Sequence, residues 1–192
     1  MKQFLESTNL LQTVVDQTER TIGEARGLFT GLSEERLNWK PAPDRWSIAQ
    51  CLYHLTVSTE KFGAYFTAAI ASGREKYPVT SSPAYRPTWM GGWLAKQLLP
   101  ETTRKMSAPK VFRPSESAVL HDSLDHFLKQ QAYFLGFVRQ AEGLDYNKTR
   151  LRSPVTPLIR YSLADAFVII AVHGQRHLGQ ARRVRETPGF PV

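Results

Sequence analysis

The sequence predicts an all-α protein, a four-helix bundle with a long, partly helical connection between its second and third helices. Long segments repeat apolar residues at helical spacing, capping-box pairs precede two of them, and no segment alternates convincingly as a strand would. The four Trp and ten Phe, with only 22% charged residues, argue against a disordered chain. Because 192 residues can bury one substantial core, we expect residues 1–192 to form a single domain.

The first predicted helix covers residues 3–30, where apolar residues keep helical spacing between Gln, Asp, Glu and Arg. Gly31 follows at a position where glycine commonly ends a helix. One further short turn is expected over residues 33–37, before Pro41 and Pro43 interrupt the helical pattern.

The second predicted helix has the clearest start signal in the chain. Ser47 is the expected N-cap, Gln50 is its capping-box partner, and Trp46 and Cys51 occupy the positions of a hydrophobic staple. The apolar stripe continues to Gly73, which is expected to end the helix. Cys51 is the single cysteine, so an intrachain disulfide is excluded, and we interpret it as a small buried residue.

Residues 73–113 form the predicted connection and carry six of the eight net positive charges. A short helix over residues 89–99 is expected to pack Trp89, Trp93 and Leu94 against the bundle. The basic charge is consistent with a solvated loop, with a rim that attracts an anionic substrate, or with a surface that binds an acidic partner. Nucleic acid is the less favoured partner because no recognised nucleic-acid-binding motif accompanies the charge.

The third predicted helix covers residues 115–142, with Ser115 as N-cap and Gly143 as its stop. His121 and His126 lie off its apolar stripe and are expected at the surface. A proline-containing segment over residues 145–161 then leads to the fourth helix.

The fourth predicted helix begins at a capping-box pair, Ser162 and Asp165, and carries His173 and His177 on its apolar stripe. Residues four apart lie one turn above each other, so the two imidazoles can reach one metal ion. The same spacing also fits packed or hydrogen-bonded core histidines. A metal site needs a further ligand, and His54 in the second helix is the candidate.

Taken together, these residues resemble the DinB/YfiT-like superfamily over nearly the whole chain. The matching positions are residues 32–37, Pro41, Trp46, Ser47, Ile48, His54, Leu55, residues 111–114, His173, His177 and Gln180. The resemblance implies a four-helix bundle that binds one divalent metal, reported in such families as zinc, nickel or iron, through His54, His173 and His177. It also implies thiol-using transferases or isomerases as relatives, and homodimers.

Gln180 shares the helix face of the paired histidines. We interpret it as a residue that hydrogen-bonds a ligand histidine, or one that only satisfies a polar position in the bundle. Arg176 is expected to point elsewhere and to be solvated. No general base stands out, since Glu60, Tyr65 and Tyr161 fit surface or packing roles better.

Three neutral imidazoles leave a divalent ion its full charge and an open coordination position. The leading hypothesis is therefore a metal-dependent, thiol-using transferase or a hydrolase that acts on a small, anionic substrate, with a low-molecular-weight thiol as a candidate. The alternative is a non-catalytic bundle with a structural or vestigial metal site and a basic surface that binds an acidic partner. The absence of a signal-peptide pattern or a long apolar run leads us to expect a cytoplasmic protein without membrane contact.

Overall fold

The computed structural model describes residues 1–102, 107–114, 119–156 and 158–191, and its architecture is helical. The helices are, in chain order, α1 (Lys2–Leu5), α2 (Leu10–Phe29), α3 (Glu34–Asn38), α4 (Ile48–Lys76), α5 (Trp89–Gln97), α6 (Ser123–Gln140) and α7 (Leu163–Arg185). A 3-10 turn covers Lys110–Phe112, and two short antiparallel strands, β1 (Arg150–Arg152) and β2 (Arg160–Ser162), precede α7. None of the helices in the described ranges is both long enough and apolar enough to cross a membrane.

Helices α2, α4, α6 and α7 form the bundle and confirm the predicted fold class. Helices α4 and α2 each pack against both α6 and α7, so α2 and α4 occupy opposite corners. Thr149 lies against Gly73 near the end of α4, and its carbonyl accepts a hydrogen bond from the N–H of Leu163 at the start of α7 (2.9 Å). Helices α4 and α7 therefore run antiparallel, with the end of one beside the beginning of the other.

The first predicted helix is interrupted, which the apolar pattern did not reveal. Residues 6–9 leave the helix, and the Asn9 side chain accepts a hydrogen bond from the N–H of Gln12 (3.2 Å). A local bond from an Asn side chain to the backbone caps a new helix start, so α2 begins at Leu10. The short turn after Gly31 is confirmed as α3.

The second predicted helix begins as expected but ends later. The Ser47–Gln50 capping box is confirmed, and α4 continues past Gly73 to Lys76. A Cβ added to Gly73 would lie 2.6 Å from the Thr149 hydroxyl oxygen. The glycine therefore permits close packing against the segment before α7 and does not stop the helix.

The third predicted helix is shorter than expected, because α6 begins at Ser123. The predicted N-cap, Ser115, lies outside the described residues. The side chain of Asn38 accepts a hydrogen bond from the N–H of Leu120 (2.9 Å) and donates one to its carbonyl (3.0 Å). Both backbone groups of Leu120 therefore have partners although the residue is not in a helix. His121 and His126 are exposed, as expected.

The predicted short helix in the connection is confirmed as α5, but its orientation differs from the expectation. Trp89 and Trp93 are 81% and 46% exposed, whereas Leu94 packs against the core. Helix α5 turns its buried face, formed by Gly91, Gly92 and Ala95, toward the bundle, where it contacts α7. Small residues allow this close approach and leave the large rings outside.

A buried carboxylate fastens the connection to α7. Asp165 is fully buried and accepts hydrogen bonds from the Tyr85 hydroxyl (2.8 Å), the Thr88 hydroxyl (2.7 Å) and the Ser162 N–H (3.1 Å). The carboxylate lies at the N-terminal ends of both α5 and α7, where the helix dipoles favour negative charge. Burial and then the charge of Asp165 raise the pKa of the Tyr85 hydroxyl, which keeps it a hydrogen-bond donor.

Replacement of Gly91 by alanine is expected to destabilise the protein by at least about 2 kcal/mol. An added Cβ would lie 2.2 Å from the Asp165 Cγ, so either α5 or the buried carboxylate must move. The matched control is Gly23→Ala in α2, where nothing lies within 4 Å of the new Cβ, and a gain of up to about 1 kcal/mol is expected. Urea unfolding measures both. Equal stabilities of the two variants would contradict the close α5–α7 contact.

Candidate metal centre

Three histidine rings meet between α4 and α7. His54 lies in the second turn of α4 and is 2% exposed. His173 and His177 lie one turn apart on α7 and are half-buried. The ring centroids are 4.9 Å apart for His54 and His173, 4.5 Å for His54 and His177, and 4.6 Å for His173 and His177. One nitrogen from each ring lies within 4.8 Å of the other two. The fold thus brings together residues that are separated by more than a hundred positions.

Hydrogen bonds set the direction of two of the rings. The Nδ1–H of His54 donates to the carbonyl of Phe112 in the 3-10 turn (2.8 Å), and the Nδ1–H of His177 donates to the Oε1 of Gln180 (3.0 Å). A donor at Nδ1 leaves Nε2 of the same neutral ring unprotonated, and the Nε2 of His54 accepts a hydrogen bond from the Nε2–H of His173. Each of these rings therefore presents Nε2 as an available ligand atom.

The donor set fits a divalent transition metal. The Nε2 atoms of His54 and His173 lie 3.1 Å apart. Two nitrogens bound at about 2.0–2.1 Å to a tetrahedral zinc ion lie roughly 3.3–3.4 Å apart, so little movement is needed. Imidazole suits zinc, nickel, iron or copper and does not suit magnesium or calcium. Bonds from the far side of a ring to a carbonyl or amide are also the usual support of metal-binding histidines.

Aromatic residues cover one side of the cluster. The Trp46 ring stacks on His177 with centroids 5.6 Å apart and contacts His54 at 5.0 Å, while Phe112 meets His54 edge-on at 6.3 Å. Trp46 was predicted as part of a helix-start staple, and its contact with the histidines could not be read from that motif. These rings exclude water from their side of the cluster and strengthen electrostatic interactions within it.

The site keeps its imidazoles neutral. Burial lowers the pKa of His54, and burial followed by the charges of His177 and His54 lowers the pKa of His173 well below its usual range. Burial and then the charge of His54 lower the pKa of His177 to about 3. Neutral imidazole is the form that binds metal, so protons do not compete with a metal near pH 7.

The metal-free protein is expected to lose stability as the pH falls below about 6.5, the ordinary histidine pKa. Below that pH the unfolded histidines take up protons, while the folded ones, whose pKa is lowered, do not. The free energy of unfolding should fall by up to about 1.4 kcal/mol per pH unit for each histidine, and for His177 the loss continues to about pH 3. Urea unfolding at pH 7.5, 6.5 and 5.5 measures this, and His177→Asn should show a shallower dependence. An unfolding free energy that stays constant or rises as the pH is lowered from 7.5 to 5.5 would contradict a neutral histidine cluster.

Some of the predicted surroundings take different roles in the structure. Arg176 was expected to be solvated, but its Nη1 donates to the carbonyls of Leu99 (2.8 Å) and Thr102 (3.0 Å) and holds the end of the α5 region beside the site. Cys51 is fully buried, as predicted, and burial raises the pKa of its thiol despite the opposing charge of Arg183.

Sequence reasoning also missed the Phe112 carbonyl. A pattern of side chains cannot predict which backbone carbonyl will accept a hydrogen bond. Residues 111–114 entered the sequence analysis only as part of the family resemblance. The hydrogen bond to His54 shows that the connection between α4 and α6 contributes to the candidate site.

Two cavities of the described surface lie away from the histidines. One of about 560 Å³ lies between α2, α6 and the connection, and includes Glu19, Ser81 and Arg139 in its lining. Another, of about 290 Å³, includes Phe29 and Leu128. Neither is lined by a histidine, so the chemistry of the donor atoms, and not cavity size, identifies the candidate site.

The fold and the cluster define a helical-bundle protein with a candidate three-histidine metal centre. The DinB superfamily profile matches residues 17–181, and the chain belongs to that superfamily. Among solved structures, YfiT from Bacillus subtilis has a similar fold, with 14% identity, coverage of 96% of this chain and 91% of that chain, and a TM-score of 0.59. YfiT is described as a probable metal-dependent hydrolase with an unusual four-helix bundle topology. No curated protein matches the chain significantly.

Proposed function

We propose that this protein is a metal-dependent enzyme in which His54, His173 and His177 hold one divalent transition metal, with zinc, nickel and iron as candidates. The observation that carries the proposal is the convergence of three neutral imidazoles, with ligand atoms within 4.8 Å of one another, between α4 and α7. The similarity of the fold to YfiT, a probable metal-dependent hydrolase, supports the same proposal.

The proposed reaction is either hydrolysis or the transfer of an activated thiol to an electrophile. A divalent ion held by His54, His173 and His177 would act as a Lewis acid and lower the pKa of a bound water or thiol. His54 and His177 keep their Nε2 atoms directed at the site because Phe112 and Gln180 accept from their Nδ1 atoms. Trp46 shields one side of the cluster from water.

The charges around the site favour a small anionic substrate. The positive charges of Arg176 and Arg183 act on His177 and contribute to its lowered pKa. Arg183 is exposed, so its guanidinium can contact an anionic ligand that enters the site from solvent. A low-molecular-weight thiol that carries a carboxylate would bind the metal through its sulfur, and its carboxylate would be attracted by the positive charge of these arginines.

Turnover by metal-loaded protein tests the proposal. We expect zinc-, nickel- or iron-loaded protein to hydrolyse small amides or esters with a carboxylate, or to join a thiol to an electrophile. Protein stripped of metal by a chelator, and the His54→Ala variant loaded in parallel, serve as controls. Equal rates for metal-loaded and metal-stripped protein, in both the hydrolysis and the thiol-transfer assays, would contradict a metal-dependent activity.

A second candidate, binding of an acidic partner without catalysis, is favoured by one surface. Arg150, Arg152 and Arg160 share the exposed face of the two-stranded sheet, and Arg152 lies directly opposite Arg160. Like charges opposite each other are unfavourable, and none of the three forms an ion pair within the described ranges of the chain. Salt-sensitive binding of a polyanion such as heparin, lost in Arg152→Ser/Arg160→Ser but kept in His54→Ala, would support this candidate.

A further inference from the structure

Ser58 carries a buried hydroxyl without an assigned role. The residue is 6% exposed, and its Oγ has no hydrogen-bond partner among the residues that the structure describes. Buried hydroxyl groups in proteins are nearly always hydrogen-bonded, and an exception indicates strain, function, or a ligand that completes the site.

Other hydroxyl groups on the same helix show what a purely structural role looks like. Thr56, Thr59 and Thr67 each donate to the carbonyl four residues earlier, at 3.0, 3.0 and 3.1 Å. The corresponding acceptor for Ser58 is the carbonyl of His54, which it does not use. The Ser58 hydroxyl therefore remains available to a group that does not belong to α4.

The position of Ser58 points to the histidine cluster. It follows His54 by four residues, so the two side chains share a face of α4 and are separated by about 6 Å along the helix axis. Side chains lean toward the N-terminus of their own helix, which directs the Ser58 hydroxyl back toward the turn of His54.

The opposite helix approaches the same place. Because α7 runs antiparallel to α4, His173 leans toward the part of α4 that follows His54, the part that contains Ser58. The ring of His173 also contacts the ring of His54, with centroids 4.9 Å apart. Ser58 therefore lies on the side of the cluster that faces the C-terminal part of α4. Trp46, which precedes the start of α4, covers the other side.

We propose that the Ser58 hydroxyl is a ligand-binding group of the three-histidine site and donates a hydrogen bond to an anionic oxygen of the bound substrate. The inference rests on the proposed function, since the substrate is held at the metal. It narrows the substrate class to molecules whose metal-binding group carries an oxygen acceptor, such as a carboxylate or a hydroxamate. The hydrogen bond formed on binding satisfies the buried hydroxyl.

The test uses the full chain loaded with zinc and acetohydroxamic acid as the ligand, measured by calorimetry. Ser58→Ala removes one oxygen atom, and we expect its affinity for acetohydroxamic acid to be about 10- to 100-fold weaker than that of the wild type. Its zinc affinity should stay within about twofold. The matched control is Thr59→Val, which removes a neighbouring buried hydroxyl that is already bonded to Leu55 and should leave acetohydroxamic acid binding unchanged.

Thermal unfolding of the metal-free variants gives a second, independent readout. Ser58→Ala removes an unsatisfied buried hydroxyl and should raise the unfolding midpoint by about 2–4 °C, whereas Thr59→Val should lower it by a similar amount. A structural role for Ser58 predicts a lower midpoint for Ser58→Ala and would overturn the inference. Zinc binding with equal acetohydroxamic acid affinity in wild type and Ser58→Ala would also overturn it and leave the proposed function intact. Absence of zinc binding by the wild type would overturn both.

Discussion

Replacement of His54 by alanine is expected to weaken the affinity for zinc or nickel by roughly 100-fold or more. Loss of a group that only supports a metal ligand typically costs about 10- to 100-fold, and loss of the ligand itself should cost at least as much. The remaining pair, His173 and His177, lies on one helix and supplies only two of the three proposed ligands. Calorimetric titration of chelator-treated protein measures the effect.

The matched control for this prediction is His126→Ala, which removes the same type of side chain from an exposed position of α6. Its metal affinity should equal that of the wild type. If His54→Ala keeps the wild-type affinity, the metal binds elsewhere and the three-histidine site is wrong. If metal removal from the wild type strongly lowers its unfolding temperature while no activity is found, a structural site replaces the catalytic one.

Replacement of Asp165 by alanine is expected to destabilise the fold by about 3–5 kcal/mol, which corresponds to a fall in melting temperature of roughly 6–20 °C. The change leaves donors without an acceptor, including the buried Tyr85 hydroxyl and the half-buried N–H of Thr88. It also removes the negative charge from the N-terminal ends of α5 and α7. Because Asp165 fastens the connection, limited proteolysis should cut residues 77–102 faster in the variant.

Asp16→Ala is the control for the buried carboxylate. Asp16 is exposed on α2 and accepts one hydrogen bond, from Gln12, so its loss should change the unfolding free energy by less than about 0.5 kcal/mol. Similar melting temperatures for Asp165→Ala and Asp16→Ala would show that the Asp165 network does not hold the connection. Proteolysis of the connection at the wild-type rate in Asp165→Ala would contradict the same account.

Local signals in the sequence predicted the parts of the fold that depend on neighbouring residues. The capping boxes at Ser47 and Ser162 were found because both partners lie within four positions, and they place α4 and α7 correctly. The spacing of His173 and His177 predicted a shared helix face for the same reason. His54 was the candidate further ligand because of its place in the second predicted helix, and the family resemblance supported that choice. Periodicity alone does not pair residues across the bundle.

The features that the sequence did not reveal depend on contacts between distant segments. Gly73 was predicted to end the second helix, but it lies inside α4 and packs closely against Thr149, which is 76 positions later in the chain. Asp165 was predicted to cap its own helix, and its second role with Tyr85 and Thr88 depends on how the connection folds back. Apolar periodicity assigns a residue to a helix face and gives no information about a backbone carbonyl such as that of Phe112.

The measurement that tests the central claim most directly is the metal content of protein purified without an affinity tag or added metal. Elemental analysis of the wild type should find about one transition-metal ion per chain, as expected for one three-ligand site. The His173→Ala/His177→Ala variant, purified in parallel, should contain almost none. A metal-free wild type whose unfolding temperature does not change on addition of zinc or nickel would contradict the account, as would equal metal content in both proteins.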